Sequence, residues 1–384
     1  MSRPLGPEIA PADALARALA GIGPLDDAAM AATAARLDRL TKPPGSLGRL
    51  EELAIRLAGI TGRPDAPVGR RAVIVAAADH GVARRGVSAY PAKVTAQMVA
   101  NFVAGGAAIN VLAAAVGASV MVVDAGVAGP IPSKPSDSSG GASGSHANAA
   151  RGVPPGGRLI PARIRRGTAD MTEGPAMTRD EAVRAIAVGL ELVGNLSRDG
   201  VELIGLGEMG IGNTTAASAL TAVLSGEPVA LVTGRGTGVD DDGRARKIAA
   251  IELALAVNAP DPADPIGVLA AVGGLEIGVL LGVILGAAPA PIPNVLDGFI
   301  TGAAALIGVA LEPAIAARLI AGHRSTEPGH AVVLERLGLV PLLELDLRLG
   351  EGSGAALAMH LVGAAAAIRE GMATFESAAV AGPT

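Results

Sequence analysis

One carboxylate is distinguished by its neighbours. Glu351 lies in the segment Gly350-Glu351-Gly352-Ser353-Gly354, between an apolar run and an Ala-rich helical pattern. Glycine on both sides lets a ligand approach the backbone and leaves the acid with little steric cover. A general base must reach the proton that it removes, so this setting favours a catalytic acid over a stabilising charge. We predict that Glu351 lies at a ligand site.

A second glycine-rich loop follows another apolar run and precedes a helical pattern: Gly205-Leu206-Gly207-Glu208-Met209-Gly210-Ile211-Gly212-Asn213-Thr214-Thr215. Its first six residues match G-x-G-x-x-G, the dinucleotide fingerprint of NAD-dependent dehydrogenases. Two features oppose that interpretation. Glu208 would direct a carboxylate at the pyrophosphate, and the next strand-like run, Pro228 to Val232, ends in Thr233-Gly234 instead of an acid for the ribose.

The same loop permits two other interpretations. The amides and hydroxyls of Gly212, Asn213, Thr214 and Thr215 at a helix N-terminus would bind a single phosphate, with Glu208 facing ribose hydroxyls. Alternatively, the glycines serve only close packing. Two glycine-rich loops on one chain favour a site that holds a phosphorylated small molecule and does chemistry beside it.

Hydroxyls and cations elsewhere could complete such a site. His323-Arg324-Ser325-Thr326-Glu327 ends a strand-like run with two hydroxyls and a cation, and Ser325 lacks the G-x-S-x-G setting of a hydrolase nucleophile. Asp240-Asp241-Asp242 could bind a metal, but capping of the following helix is the better interpretation. Lys247 lies two turns into that helix, where it could reach a phosphate or stay solvated.

Three histidines raise the question of a metal. His80, His323 and His330 lack the helical i, i+4 pairing of zinc proteases, and the chain has no cysteine. We therefore expect hydrogen-bonded or solvent-edge histidines and no metal. Tyr90-Pro91, with Gln97 and Met98, could hold a flat heteroaromatic ligand or could simply begin a helix.

The elements that must position these residues form a repeating pattern. Apolar runs, each followed by polar residues or glycine and then by a helical pattern, are found at Ala72 to Ala78, Ala118 to Val123, Val201 to Leu206, Asn294 to Leu296, Arg318 to Ala321 and Leu342 to Leu347. Continuous apolar strands alternating with helices predict a parallel sheet covered on both faces. The fold class is therefore α/β and Rossmann-like, with ligands at the carboxyl ends of the strands.

Composition excludes several function classes. The 384 residues include three Phe, one Tyr and no Trp, and the formal charge is −5, which opposes nucleic-acid binding by stacking or by a general basic surface. The absence of cysteine and of an apolar N-terminal core predicts a cytoplasmic protein. The apolar run Ile277 to Ala290 is shorter than the roughly 20 residues that cross a bilayer, and Phe299 to Ile320 contains charges. We predict two buried helices and no membrane association.

The pattern also divides the chain. Residues 1–65 form a helical segment that is broken by the stiff turn Thr41-Lys42-Pro43-Pro44-Gly45-Ser46. This segment, with or without C-terminal helices, is predicted to form a smaller helical domain beside an α/β catalytic domain of residues 66–384. Within the latter, residues 131–157 are rich in Ser, Gly, Pro and Ala, and are predicted to be a disordered insertion.

Five segments, in this order, resemble the nicotinate-nucleotide–dimethylbenzimidazole phosphoribosyltransferase family: Thr41-Lys42-Pro43-Pro44-Gly45-Ser46-Leu47-Gly48-Arg49-Leu50-Glu51, Ala78-Asp79-His80-Gly81-Val82, Gly207-Glu208-Met209-Gly210-Ile211-Gly212-Asn213-Thr214-Thr215, His323-Arg324-Ser325-Thr326-Glu327 and Gly350-Glu351-Gly352-Ser353-Gly354. The resemblance spans nearly the whole chain, and the insertion at 131–157 departs from it. It implies transfer of phosphoribosyl from nicotinate mononucleotide to 5,6-dimethylbenzimidazole, by a homodimer with no cofactor.

The resemblance also implies roles for residues. Glu351 would be the general base that takes the benzimidazole N–H proton, and Tyr90, Gln97 and Leu349 would line the base pocket. The residues around phosphate and ribose would be Glu208, Gly210, Gly212, Asn213, Thr214, Gly236, Lys247, Ser325 and Thr326. The dehydrogenase and a non-catalytic nucleotide-binding protein remain the alternatives.

Overall fold

The computed structural model describes residues 9–132 and 155–382. Six strands form one parallel sheet: β1 (Arg71–Ala78), β2 (Ala118–Gly126), β3 (Arg158–Pro161), β4 (Leu203–Met209), β5 (Asn294–Leu296) and β6 (Leu319–Ala321). The strand order is β3-β2-β1-β4-β5-β6. The predicted α/β class is confirmed, and the order reverses between β1 and β4, where ligands of such sheets bind.

Helices cover both faces. They are α1 (Pro11–Ala20), α2 (Asp27–Asp38), α3 (Arg49–Thr61), α4 (Lys93–Ala104), α5 (Ala108–Ala115), α6 (Arg179–Arg198), α7 (Asn213–Ser225), α8 (Val229–Val232), α9 (Asp241–Asn258), α10 (Pro265–Val272), α11 (Leu275–Ala287), α12 (Phe299–Leu311), α13 (Pro328–Leu337) and α14 (Ser353–Gly371). Short 3₁₀ turns occupy Gly81–Arg85 and Pro313–Arg318.

The central strand shows why its apolar run is unbroken. In β1, Ile74 and Ala76 point into the hydrophobic cluster that includes α6 and α11, whereas Val73 and Val75 point into the opposite cluster with α14. Alternate side chains of a strand face opposite sides of the sheet, and here both sides are covered. The predicted buried helices within Ile277–Ala290 and Phe299–Ile320 are confirmed as α11 and α12, whose residues are almost all buried.

The N-terminal helices pack on this framework. Leu37 and Leu57 join the cluster that contains α14, and Leu15 joins the other one. In the turn between α2 and α3, Lys42 forms a buried ion pair with Glu51, 2.9 Å from Nζ to Oε1. The division of the chain at residue 65 stays a prediction. Most of the predicted insertion at 131–157 lies outside the described residues.

Two secondary-structure predictions were wrong, and one strand was missed. Leu342 to Leu347 is not a strand: it runs beside β6 with one isolated parallel bridge, between Leu343 and His323, and Asp346 has a φ of +53° that breaks the extended backbone. Pro228 to Val232 is the start and body of helix α8. The edge strand β3 was missed because its four residues are mostly exposed and lack an apolar run.

One apolar stretch was also overlooked. Within the described residues, Lys93–Ala115 is long and apolar enough to span a membrane by length and composition alone. It comprises α4 and α5, with a break at Gly105, whose φ of +85° lies in the left-handed region. Such a break interrupts a continuous helix, so the stretch is weak evidence for a membrane span.

Candidate active site

A cleft opens at the carboxyl edge of the sheet, beyond β4, β5 and β6. The predicted site residues that line it are Glu208, Gly210, Asn213, Thr214, Gly236, Ser325 and Leu349. These residues are spread over more than 140 positions of sequence, from Glu208 to Leu349, and the parallel strands bring their loops to one edge.

One end of the cleft has the character of a phosphate site. Thr214 lies in the first turn of α7, and its Oγ1 is 2.9 Å from Nζ of Lys247. Gly236, with a φ of +56°, lets its backbone come close to both groups, because a Cβ on it would lie only 3.0 Å from the Thr214 hydroxyl and 3.2 Å from the Lys247 ammonium. A helix N-terminus, a hydroxyl, a cation and a closely approaching glycine thus meet at one end of the cleft.

Lys247 is fully buried, which excludes the solvated alternative that its spacing left open. Burial is the main reason that its pKa falls to about 8, while the nearby carboxylate of Glu327 acts in the opposite direction. The helix that carries it is capped as predicted: Gly243 N–H donates to the Asp240 carboxylate at 2.8 Å. A cation held without water around it will interact strongly with a bound anion.

Ser325 and Thr326 are adjacent in sequence but line different pockets. Ser325 lines the cleft, and its N–H donates to Nδ1 of His330 at 2.9 Å. Burial, followed by the charges of His323 and Arg324, lowers the pKa of His330 to about 3, so this ring stays a neutral acceptor. Thr326 instead lines an adjoining pocket and does not line the cleft.

The centre of the cleft is acidic. Glu208 is buried at the end of β4 and contacts the Asn213 side-chain amide. Burial, then the charges of Asp297 and Glu276, raise its pKa to about 8. Burial also raises the pKa of Asp297 to about 7, against the effect of three backbone N–H donors. Near neutral pH Glu208 and Asp297 are each partly protonated, so the net charge of the cleft changes with pH.

This acid cluster predicts a pH-dependent stability. The pKa of Glu208 lies at about 8 in the folded protein, above its ordinary 4.5. Its contribution to the free energy of unfolding is therefore fully present below about pH 4.5 and is lost as pH rises through 8. Glu208→Gln imitates the protonated acid. At pH 9 it should be more stable than wild type by about 1–3 kcal/mol, the cost of an uncompensated buried polar group, and the gap should shrink toward pH 5.

Thermal unfolding at pH 5, 7 and 9 measures this effect. Glu227→Gln, at an exposed acid just beyond α7, is the matched control and should track wild type at every pH. An unchanged slope of stability against pH in Glu208→Gln would contradict the assigned ionisation.

Glu351 lies closer to the protein interior than its glycine neighbours suggested. Its side chain is buried, with only 6% of the residue exposed, which corrects the expectation of an uncovered acid. Its φ of +65°, between Gly350 at +82° and Gly352 at +89°, makes three consecutive left-handed residues. Such a conformation is uncommon for a residue with a side chain and is typical of functional positions.

The carboxylate of Glu351 is held near the first turn of α5. Burial and the charge of Asp297 raise its pKa, and the Ile109 backbone N–H acts to lower it. Its Oε2 has no hydrogen-bond partner among the described residues. Leu349 and Gly350 line the cleft while Glu351 itself does not, so the acid lies next to the cleft wall. A buried carboxylate with one unpartnered oxygen and a raised pKa is suited to accept a proton.

The two glycine-rich loops are in contact. A Cβ on Gly207 would lie 2.5 Å from the backbone oxygen of Glu351, and a Cβ on Gly350 would collide with the Glu208 carboxylate. The glycines thus allow close packing between the strand end that carries Glu208 and the turn that carries Glu351. The packing interpretation of the first loop is therefore supported, and its ligand interpretation stays a prediction.

The predicted base pocket is only partly assembled. Leu349 lines the cleft and is half exposed, whereas Tyr90 and Gln97 are exposed and do not line it. A residue that the sequence did not indicate links this region to the site. The Oγ1 of Thr95, in the first turn of α4, accepts a hydrogen bond from the Ile211 N–H at 3.2 Å.

The three histidines are buried, so the expectation that they lie at the solvent edge was wrong. The alternative expectation, that they are hydrogen-bonded, holds for two of them. His80 Nε2 lies 2.5 Å from Glu276 Oε1, and His330 accepts from Ser325. Across residues 9–132 and 155–382, no group of three or more His, Cys, Asp or Glu side chains is arranged for a metal ion.

Asp297 lies in the cleft, but the sequence analysis assigned no role to it. It follows β5 directly and lines the cleft. Its position after a strand was the available signal, since polar residues at that edge of a parallel sheet face the ligand.

Comparison with known proteins identifies the family. The profile of a phosphoribosyltransferase family matches residues 22–380. The chain belongs to this family. Its relatives include the nicotinate-nucleotide–dimethylbenzimidazole phosphoribosyltransferase of Chloroflexus aggregans, which is 57% identical over 94% of this chain and 96% of that protein. The enzyme of the same name from a Roseiflexus species is 55% identical over 96% of this chain and 98% of that protein. A crystal structure of CobT from Thermus thermophilus is 48% identical, with a TM-score of 0.83, and covers 93% of this chain and all of that one.

Membership of the phosphoribosyltransferase family confirms the resemblance and the predicted enzyme class, a pentosyl-group transferase. The dehydrogenase interpretation loses its support, although the strand order is the one that dinucleotide-binding sheets share. In this phosphoribosyltransferase Gly205 to Met209 of the G-x-G-x-x-G match lie within the fourth strand and do not form a loop after the first strand, and the buried acid Glu208 lies in this strand.

Proposed function

We propose that the protein transfers the phosphoribosyl group from nicotinate mononucleotide to 5,6-dimethylbenzimidazole. The products are nicotinate and α-ribazole 5′-phosphate, the nucleotide of the cobalamin lower ligand. The observation that carries this proposal is Glu351, a buried carboxylate with one unpartnered oxygen, beside a cleft whose far end is suited to a phosphate. The names of the 57% and 55% identical relatives support the same reaction.

In this proposal the donor lies along the cleft. Its phosphate lies at Thr214, Gly236 and Lys247, a choice supported by the hydroxyl, the closely approaching glycine and the buried cation that meet there. The ribose then lies toward Glu208 and Asn213. Gly210 and Gly212 let this loop pack closely against the 78–80 segment, and Ser325, after β6, lines the cleft. Thr326 is placed at the rim, in the adjoining pocket.

The reaction requires one general base and negatively charged groups near the ribose. The bond between the anomeric carbon and the pyridine nitrogen breaks, its electron pair leaves with nicotinate, and the benzimidazole nitrogen forms the new bond with inversion. Positive charge develops on the ribose, and the carboxylates around the cleft stabilise it. The benzimidazole N–H proton passes to Glu351. Since the leaving group carries positive charge on its nitrogen, no acid is required to expel it.

Incubation of the protein with both substrates, followed by detection of free nicotinate, tests the proposal. Nicotinate and the ribazole phosphate should appear together in equal amounts. Binding of the mononucleotide without release of nicotinate would favour the non-catalytic alternative. Tight binding of NAD would return the dehydrogenase to consideration.

Leu349 provides a test of the acceptor site, since it is the residue of the predicted base pocket that lines the cleft. Leu349→Ala removes apolar contact from an aromatic acceptor and should raise the acceptor KM by about 10-fold, the effect of a small apolar truncation in a binding pocket. The donor KM should stay within a factor of two or so. Leu345→Ala is the matched control, because Leu345 is equally exposed in the same segment but lies outside the cleft. Equal effects of both changes would exclude a specific acceptor contact.

The same proposal includes a cytoplasmic homodimer without a cofactor, nucleic-acid partner or membrane contact. Exposed apolar side chains on and beside the apolar α4–α5 stretch support a dimer, and they include Tyr90, Val103 and Val111. A partner subunit covering this face would bring Tyr90 and Gln97 toward an acceptor. Sedimentation in the absence of detergent tests this: a monomer at micromolar concentration would contradict it, and a requirement for detergent would favour a membrane.

A further inference from the structure

The turn that carries Glu351 is fixed by a neighbouring acid. Asp297 Oδ2 accepts a hydrogen bond from the Gly352 N–H at 3.1 Å. Its Oδ1 accepts from the Gly354 N–H at 2.6 Å and from the Ala355 N–H at 3.2 Å. Three of the amides that follow Glu351 therefore converge on one buried carboxylate at the start of α14.

This contact is more than an ordinary helix cap. The usual capping side chain belongs to the residue just before the helix, whereas Asp297 comes from the end of β5, more than 50 residues earlier. It joins the sheet to a turn of three consecutive left-handed residues, a conformation that persists only where its surroundings hold it. Gly298 and His323 pack beside it, and His323 Nδ1 lies 3.5 Å from Asp297 Oδ1.

The charged and titratable groups around Glu351 come from several elements. Asp297 at the end of β5 raises the proton affinity of Glu351, the Ile109 N–H of α5 opposes it, and Glu208 at the end of β4 is coupled to both acids. Glu276 of α11, paired with His80, acts on Glu208. His323 at the end of β6 is the remaining titratable group beside Asp297, and burial lowers its pKa, so that it is neutral there.

We propose that Asp297 is a positioning residue for the transfer: its carboxylate holds the Glu351 turn through the Gly352, Gly354 and Ala355 amides. The inference rests on the proposed role of Glu351 as the base. It assigns to Asp297 an effect on turnover and on the pH profile, with little effect on donor binding.

Two variants separate position from charge. Asp297→Asn keeps the size, removes the charge and places an NH₂ group against donor amides. It should lower kcat by about 10²-fold, the cost of misplacing a reactive group by about an ångström. Without the charge of Asp297, the acidic limb of its kcat–pH profile should move to lower pH. Asp297→Glu keeps the charge but displaces it, so kcat should fall while the limb stays near its wild-type position.

The donor KM should remain within a few-fold of wild type in both variants, because the phosphate site lies elsewhere in the cleft. Asp38→Asn, at an exposed acid in the last turn of α2, is the matched control and should leave kcat and the limb unchanged. A purely structural role predicts a lower melting temperature with an unshifted limb, and that result in Asp297→Asn would overturn the proposal.

Hydrogen exchange on the wild-type protein tests the contact without relying on a variant that folds. The Gly352, Gly354 and Ala355 amides should exchange much more slowly than the Gly350 amide. Rapid exchange of all three would overturn the proposal. The outcome is also independent of the proposed reaction: if wild type released no nicotinate, the function would fail while the exchange pattern still reported on Asp297.

Discussion

Glu351→Gln should lower kcat by about 10²–10⁴-fold, the usual contribution of a positioned general base, and should leave the KM of nicotinate mononucleotide nearly unchanged. Glutamine retains the shape of the side chain and cannot take the benzimidazole proton. The substitution also places a neutral group where burial disfavours charge, so the fold should not suffer. Single-turnover measurement of nicotinate release at saturating substrates gives the comparison.

The pH profile makes this test specific. Burial and the charge of Asp297 raise the pKa of Glu351, and a base acts only in its deprotonated form. Wild-type kcat should therefore rise with pH through the raised pKa of Glu351 and then level off, whereas Glu351→Gln should show no such rise. Glu335→Gln, at an exposed acid of α13, should match wild type throughout. Near wild-type turnover in Glu351→Gln would remove the acid from the mechanism.

Lys247→Met should raise the donor KM by about 10- to 100-fold, the range expected for a charge-assisted hydrogen bond of about 1.5–3 kcal/mol. The acceptor KM should change little, because the Lys247 ammonium reaches Thr214 at the phosphate end of the cleft and not Leu349. Methionine fills a similar volume, so the substitution tests charge more than packing.

The stability of this variant should move in the opposite direction to its binding. Burial lowers the pKa of Lys247 to about 8, which indicates that the unliganded protein bears a cost for holding a cation there. Lys247→Met should therefore melt at or above the wild-type temperature in the absence of ligand and lose the stabilisation that nicotinate mononucleotide confers. Arg336→Met, in the last turn of α13, should retain both properties. An unaltered donor KM would place the phosphate elsewhere.

The sequence predicted the structure correctly where a single residue or a single run of residues determines it. The unbroken apolar runs of β1, β2 and β4 predicted a covered parallel sheet, and the polar residues after them predicted the edge at which the cleft opens. The capping Asp240 was likewise readable, because a cap depends on residues three apart in sequence. Prediction failed where the structure of a segment depends on partners that are distant in sequence. Leu342 to Leu347 is apolar enough for a strand but lacks a regular ladder of partners.

The site shows the same limit. Gly207 and Glu351 were each recognisable as unusual, yet their contact depends on the order of strands, which no local pattern gives. Glu351 was expected to be uncovered because glycines surround it in sequence. In the folded chain, α5 and the acids of β4 and β5 cover it. Burial of a polar side chain is set by elements that are distant in sequence, so its ionisation could not be predicted from neighbours alone.

The strand order also indicates where this enzyme could be modified for practical use. The edge strand β3 lies on the other side of β1 from the three strands whose loops form the cleft, and its residues are mostly exposed. An affinity tag or a fluorescent reporter attached to a side chain of β3 would be separated from the cleft by the two strands β2 and β1. A surface-immobilised catalyst attached through this edge would keep its cleft accessible to both substrates.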